Sequence, residues 1–278
     1  MIRTRRRPIL AQSAITRLRE GRYGYYLYNY HDDTIGRAVD LYGEWAEAEC
    51  ALLRDYIGEG NVVLDVGANI GTHMLFFANV VGPTGRVYAF EPQHEIFQIM
   101  AGNAALNGLR NVRAIRAAVG DRHGELRYAQ PDYAVADNFA AFSFTSPRTT
   151  EGVHETAPVM TVDEMELERV DLIKIDVEGM ELPVLVGAEQ TLARCTPVIY
   201  AENTDAGRSV TVATWLLDRG YRIFWHIAKA YNADNFASEE ENIFGSAVEP
   251  NILCIPPNSD RVPNLPQLVD PADYLPAH

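Results

Sequence analysis

The sequence predicts an α/β fold: a doubly wound, mostly parallel sheet of seven strands, with an antiparallel edge strand and a small β-rich insert. Three observations carry that expectation. Runs of Val, Ile and Leu alternate with segments of helical spacing, the pattern of a parallel sheet covered on both faces. A glycine-rich turn joins the first such run to a helix. The chain has 278 residues, 47% of them hydrophobic, enough to close a full core.

Residues 1–42 read as an arm and a hairpin lead-in. Arg3, Arg5, Arg6 and Arg7 suit a frayed terminus. Tyr23, Tyr25, Tyr26, Tyr28 and Tyr30 cluster around Gly24, which suggests a strand or short hairpin. The main domain is expected over 43–256. GEWAEAECALLRDYI (43–57) puts Trp45, Ala48, Leu52, Leu53 and Tyr56 on one helical face. Strands follow at 62–66, 85–92, 111–121, 171–179, 197–203 and 221–227. Helices are expected at 71–81, 94–108, 179–195 (interrupted by Pro183) and 208–220. NILCIP (251–256) lacks a preceding helix and fits the antiparallel edge strand. Residues 122–165 break the rhythm, with GELRYAQ, FAAFSF and APVMTV as strands of the insert. Residues 257–278 form a Pro-rich tail, expected to be extended because six of the 23 residues from Pro256 onward are proline.

Composition excludes several classes. The 24 basic and 38 acidic residues leave a net charge of −14, which argues against wide contact with nucleic acid or an anionic membrane. No apolar run approaches the roughly 18 residues of a membrane span. MIRTRRRPIL lacks the apolar stretch and cleavage site of a secretory signal, so a cytoplasmic location is expected. Cys50, Cys195 and Cys254 are odd in number and far apart, so they form neither a disulfide framework nor a zinc cluster and read as small buried side chains.

The chemistry starts at LDVGANIGTHM. Asp65, Gly67 and Gly71 form an Asp-x-Gly-x-x-x-Gly turn at a strand–helix junction, where backbone N–H groups can approach a ligand closely. The spacing is not the G-x-G-x-x-G of a pyrophosphate site, and no G-K-[ST] follows. Glu91 ends the second strand, 24 residues after Gly67, where an acid can accept hydrogen bonds from both ribose hydroxyls. Asp65 adds negative charge beside the turn, which suits an ammonium and a sulfonium better than a diphosphate. S-adenosylmethionine is the favoured ligand.

VVLDVGANIGTHMLFFA, GRVYAFEPQ, NFAAFSF, DLIKIDVEGMELPVLVGA and VIYAEN, with YNADNF and ENIFG further on, resemble the FkbM-type methyltransferases over roughly residues 40–255. The resemblance implies the class I methyltransferase (Rossmann-like) fold, S-adenosylmethionine as methyl donor, and transfer to an oxygen of a sugar, polyketide or similar natural product. It places cofactor contacts at Asp65, Gly67, Asn69, Gly71, Thr72 and Glu91, with the adenine beside Val119, Gly120 and Asp121. His73 either faces the methionine moiety or packs.

Methyl transfer requires the acceptor oxygen, methyl carbon and sulfur in line, often with removal of a proton. Asp176 is the first candidate to orient or deprotonate the acceptor, Glu202 the second and His226 the third. Lys174 shares a strand face with Asp176 and needs a carboxylate partner, either Glu202 or Asp176. Glu178 reads either as a site acid or as a first-turn acid of the next helix. Asp176, Glu178 and Glu202 would be the ligands of a divalent cation if one binds, although their spacing does not favour it. Asn138, Phe139 and Phe142 of the insert, with Tyr231, Asn232, Asn235 and Phe236, offer the amides and aromatics that suit a sugar or polyol. The expected partner is a small-molecule acceptor, with homo-oligomerisation left open. Alternatives are N-methylation of an amine or peptide, a cofactor-binding protein without turnover and, most weakly, an NAD-dependent oxidoreductase.

Overall fold

A computed structural model describes residues 8–139 and 153–274. Arg3, Arg5, Arg6, Arg7, Phe142 and most of FAAFSF lie outside the described residues. The N-terminal segment forms a small antiparallel sheet of β1 (Ala11–Gln12), β2 (Thr16–Gly21) and β3 (Gly24–Asn29), followed by helices α1 (Ile35–Tyr42) and α2 (Glu47–Leu53). The Tyr-rich stretch is thus a hairpin, with Tyr26 and Tyr28 fully buried.

β4 (Val62–Val66), α3 (Thr72–Val81), β5 (Arg86–Phe90), α4 (His94–Leu106) and β6 (Val112–Ile115) open the α/β alternation. β7 (Ala118–Val119), β8 (Gly124–Ala129) and β9 (His154–Met160) then form a separate three-stranded sheet. The alternation resumes with β10 (Leu172–Ile175), α5 (Glu181–Val186), α6 (Glu189–Cys195), β11 (Val198–Glu202), α7 (Ala206–Leu217) and β12 (Arg222–Lys229). β13 (Val248–Ile255) and β14 (Gln267–Leu268) complete it.

The main sheet runs β14-β12-β13-β11-β10-β4-β5-β6, with β11, β10, β4, β5 and β6 mutually parallel. This is an α/β architecture with a mostly parallel central sheet, as the alternation predicts. One sheet face buries Val63, Leu172, Tyr200 and Leu253 against Phe76, Met100 and the hairpin tyrosines. The other buries Leu64, Ile173, Ile199 and Cys254 against Val184, Leu192 and Val212. Among the described residues, no helix is long and apolar enough to cross a membrane.

Several expectations change. Among the described residues the sheet has eight strands where seven were expected, because Gln267–Leu268 of the Pro-rich tail pairs with β12 and buries Leu268. NILCIP is not an edge strand. β13 lies between β11 and β12, antiparallel to both. Ile252 to Ile255 are fully buried, and an uninterrupted apolar run of that kind needs a neighbour on each side. The expected strand 111–121 divides at Arg116, and Ala118–Val119 leaves the main sheet to pair with β9. Pro183 does not interrupt the helix over 179–195; it sits in the first turn of α5, where its missing N–H has no intrahelical partner to lose. The break falls at Gly187, where a Cβ would stand 1.9 Å from the Gly120 carbonyl oxygen. Helix α1 was not expected, yet its signal is present: Ile35, Ala38, Val39 and Tyr42 at i, i+3, i+4, i+7, closed by Gly43 in the left-handed conformation.

Candidate active site

The parallel strands β4, β5 and β10 end together, and backbone hydrogen bonds join their ends. Gly67 and Ala68 N–H both donate to the Phe90 carbonyl (3.1 and 2.9 Å), Glu91 N–H donates to Ile115 and Asp176 N–H to Val66. Gly67 adopts φ 79°, and a Cβ there would lie 1.8 Å from the Asp176 carbonyl oxygen. Only glycine permits this approach. The cleft above these ends has an open volume of about 620 Å³ and is lined by Gly67, Asn69, Glu91, Val119, Asp176 and Glu178, with Ile35 and Met180 as apolar flanks.

Glu91 is buried at its rim. Oε2 accepts from Asn69 N–H (3.1 Å) and Oε1 from Gln93 N–H (2.9 Å). Burial pushes the carboxyl up to about 7, against those two bonds, with Asp176 and Asp65 adding to the rise. A carboxylate can accept about four hydrogen bonds, so each oxygen retains capacity for a hydroxyl. A ribose diol fits that capacity, and Ile35, Val119 and Met180 fit the faces of a purine.

A polar layer occupies one face of the strand ends. Lys174 is the register partner of Asp65 on β4 and of Tyr200 on β11. Its Nζ donates to Asp176 Oδ2 (3.0 Å) and stands 3.9 Å from Asp65 Oδ1. Its carboxylate partner is therefore Asp176, supported by Asp65, and not Glu202. Burial opposes the ammonium charge, but Asp176, Asp65 and Glu49 outweigh it and raise the Lys174 pKa. Asp65 is completely buried, and neither oxygen has a hydrogen-bond partner among the described residues. Burial raises its pKa, while Lys174 and then His73 oppose the rise.

Glu202 is pushed well above the carboxylate range, first by burial and then by Asp176, Glu178, Glu181 and Glu249. Glu178 is not a first-turn acid: it precedes α5 at φ 45°, and Glu181 supplies the helix-start acid that accepts from Gly179 N–H. Burial, then Asp176 and Glu181, lift Glu178 to about 7, with Arg208 opposing. His226 Nδ1 lies 2.7 Å from the Tyr200 hydroxyl. That hydroxyl is buried, its pKa is well above ordinary, and it has no other partner among the described residues, so it donates to Nδ1. His226 then carries its proton on Nε2 as a donor, and burial lowers its pKa despite Glu49.

The structure adds a pair that sequence reasoning missed. Glu49 of α2 is buried, accepts from Asn251 Nδ2 (3.1 Å) and lies 3.2 Å from His73 Nε2. Its signal was an acid on an apolar stripe, four residues from both Trp45 and Leu53. Ile35 was missed with α1. Glu249 was missed because nothing local marks it; burial, then Glu49, raise it to about 7.

Other expected residues lie elsewhere. Among the described residues, Asp65, Gly71, Thr72 and Asp121 do not line the cleft. Asp65 lies beneath it, Gly71 and Thr72 start α3, and Asp121 is exposed with its carboxylate 3.8 Å from Arg122. Glu202, Lys174 and His226 belong to the polar layer rather than the lining. Asn138 is exposed, and Phe139 is buried against Tyr133. Asn235 is buried and binds Glu239 and Asn232 within its own loop, while Phe236 N–H donates to Glu44 Oε2. Tyr231 and Asn232 line a separate hollow against α2, with Asn232 Nδ2 bonded to Glu44. Among the described residues, no three His, Cys, Asp or Glu side chains are grouped to hold a metal ion, so Asp176, Glu178 and Glu202 do not make such a set.

Strand ends, glycine turn and rim acid all fall in the region that the methyltransferase FkbM domain family matches, residues 65–223. The chain belongs to this family. It is 32% identical over 171 residues to the hexuronic acid methyltransferase AglP of Haloferax volcanii, covering 60% of this chain and 65% of that protein. It is 32% identical over 184 residues to the 31-O-demethyl-FK506 methyltransferase FkbM of Streptomyces tacrolimicus, covering 55% and 70%. To the 2-O-methyltransferase NoeI of Sinorhizobium fredii it is 27% identical over 158 residues, covering 52% and 63%. The match thus spans slightly less than two thirds of the first of these relatives. A crystal structure of a methyltransferase FkbM from Methylobacillus flagellatus superposes with a TM-score of 0.47 at 15% identity, over 71% of this chain and 44% of that one. The FkbM-domain match begins at Asp65 and ends inside β12, so the hairpin, Ile35, Glu49, His226, Glu249 and Asn251 all lie outside it.

Proposed function

We propose that this FkbM-family chain is an S-adenosylmethionine-dependent methyltransferase acting on a hydroxyl of a sugar or natural-product small molecule. The carrying observation is Glu91: a buried rim carboxylate with unused acceptor capacity, lining one cleft together with Asp176. The names of the sugar and natural-product methyltransferase relatives support the acceptor class. Bound S-adenosylmethionine supplies an electrophilic methyl group on a sulfonium. Glu91 accepts the ribose hydroxyls, while Ile35, Val119 and Met180 exclude water around the base. Lys174 holds the Asp176 carboxylate at the end of β10, where one oxygen remains to accept a hydrogen bond from the hydroxyl to be methylated, orient its oxygen and receive its proton.

An amine acceptor is the second reading, supported by the mutual crowding of Asp176, Glu178, Glu202 and Glu249, which a cation would relieve. Calorimetry with S-adenosylmethionine, S-adenosylhomocysteine and NAD tests the cofactor; binding of NAD alone rejects the main reading. A methyl-label transfer screen over matched alcohols and amines decides between the two acceptors.

A further inference from the structure

The N-terminal hairpin, which lies outside the family match, is hydrogen-bonded to the cofactor turn through the side chain of Asn103. Asn103 of α4 is completely buried. Its Nδ2 donates both to Leu27 O (2.9 Å) on β3 and to Ile70 O (2.8 Å) in the glycine turn, while Oδ1 accepts from Leu27 N–H (2.6 Å). Both amide hydrogens are thereby used. Ile70 sits between Asn69 (φ 50°) and Gly71 (φ 86°), two left-handed residues. Its N–H is held by Asn69 Oδ1, and Asn69 N–H in turn is held by Glu91. A continuous hydrogen-bonded path therefore runs from β3 through Asn103 and the turn to Glu91.

The same strand carries its own control. Asn107, one helical turn on, makes the equivalent pair with Tyr25, accepting from N–H (2.8 Å) and donating to O (2.8 Å), but does not reach the turn. The hairpin also grips the helix after the turn: Asn79 Nδ2 donates to Tyr23 O (2.9 Å), and the Tyr23 and Phe76 rings lie 5.3 Å apart. Further along the same segment, Ile35 lines the cleft itself.

We propose that the hairpin is a working part of the cofactor site, and that Asn103 is the positioning residue through which it sets the Ile70 peptide and hence the Asn69–Glu91 contact. The proposal rests on the methyltransferase reading for the identity of the ligand, but not for the brace itself. Removing the amide leaves a buried carbonyl in the turn unsatisfied and lets the two left-handed residues relax.

The test compares wild type, Asn103→Ala and Asn107→Ala, with S-adenosylhomocysteine as the probe in calorimetry. Asn103→Ala should weaken binding by about tenfold or more, and Asn107→Ala by less than about twofold. Amide exchange at Asn69, Ile70 and Gly71 should accelerate in Asn103→Ala alone. Equal affinities in all three, or equal weakening by both substitutions, overturns the proposal. If Asn103→Ala does not fold, wild type decides by reciprocity: the probe should protect the Leu27 amide more than that of Tyr25, and equal protection overturns the proposal. If wild type does not bind the probe, the methyltransferase reading fails separately, and the exchange rates at 69–71 still decide the brace.

Discussion

Lys174 and Asp65 are register partners on adjacent parallel strands, with the ammonium 3.9 Å from a completely buried carboxylate that has no hydrogen bond among the described residues. The pair sits directly beneath the cleft, where Lys174 also holds Asp176. Lys174→Met should therefore leave a buried, uncompensated charge and destabilise the protein by roughly 3–5 kcal/mol. Adding Asp65→Asn should recover part of that loss. Urea unfolding of the two variants measures both effects, and an unchanged midpoint for Lys174→Met would reject the coupling.

Glu91→Gln removes the charged acceptor at the rim. S-adenosylhomocysteine affinity should fall by about one to two orders of magnitude, as expected for losing hydrogen bonds to a charged group. Because burial lifts Glu91 to about 7, and hydroxyl donors favour its charged form, affinity should rise with pH up to about 7 and level off above it. Calorimetry across that range in Glu91→Gln should show the pH dependence reduced.

The pH dependence of stability has a definite sign. Glu91, Glu178 and Glu249 are all raised to about 7, mainly by burial, from an ordinary 4.5. Below about 4.5 each is protonated whether folded or unfolded, so none contributes a difference. Between there and about 7 the unfolded chain ionises first, and folding stability falls as pH rises, levelling off above. The thermal midpoint of the free protein should thus be lower at about pH 8 than at about pH 5.5 through these groups, and Glu249→Gln should flatten the decline.

Asp176→Asn keeps the shape of the strand end but removes the carboxylate held by Lys174. Turnover should drop by about a hundredfold or more, while cofactor affinity changes little. Single-turnover methyl transfer on an identified acceptor separates the two; equal turnover by the variant and wild type would remove Asp176 from its assigned role.

Gly67→Ala places a methyl group 1.8 Å from the Asp176 carbonyl oxygen, at a φ that alanine disfavours. It should lower the melting temperature and abolish S-adenosylhomocysteine binding. Gly58→Ala, with nothing within 4 Å, is the matched control and should stay within about 0.5 kcal/mol of wild type.

The sequence by itself determined whatever depends on local pattern. The alternation of apolar runs and helical stretches marked β4, β5, β10, β11 and β12, because burial on both faces needs consecutive Val, Ile and Leu. The turn at Gly67, the rim acid Glu91 and the shared face of Lys174 and Asp176 were legible for the same reason: a glycine of positive φ, a strand end and a period of two are all encoded within a few residues. What only the tertiary structure decided depends on partners far apart in the chain. It placed β13 inside the sheet, added Gln267–Leu268 at its edge, and chose Asp176 and Asp65 over Glu202 for Lys174. It also brought Glu49 to His73 and Asn251, and Leu27 through Asn103 to Ile70. Strand order and side-chain pairing are set by which buried surfaces and polar groups satisfy one another across long sequence separations, and no local spacing encodes that choice.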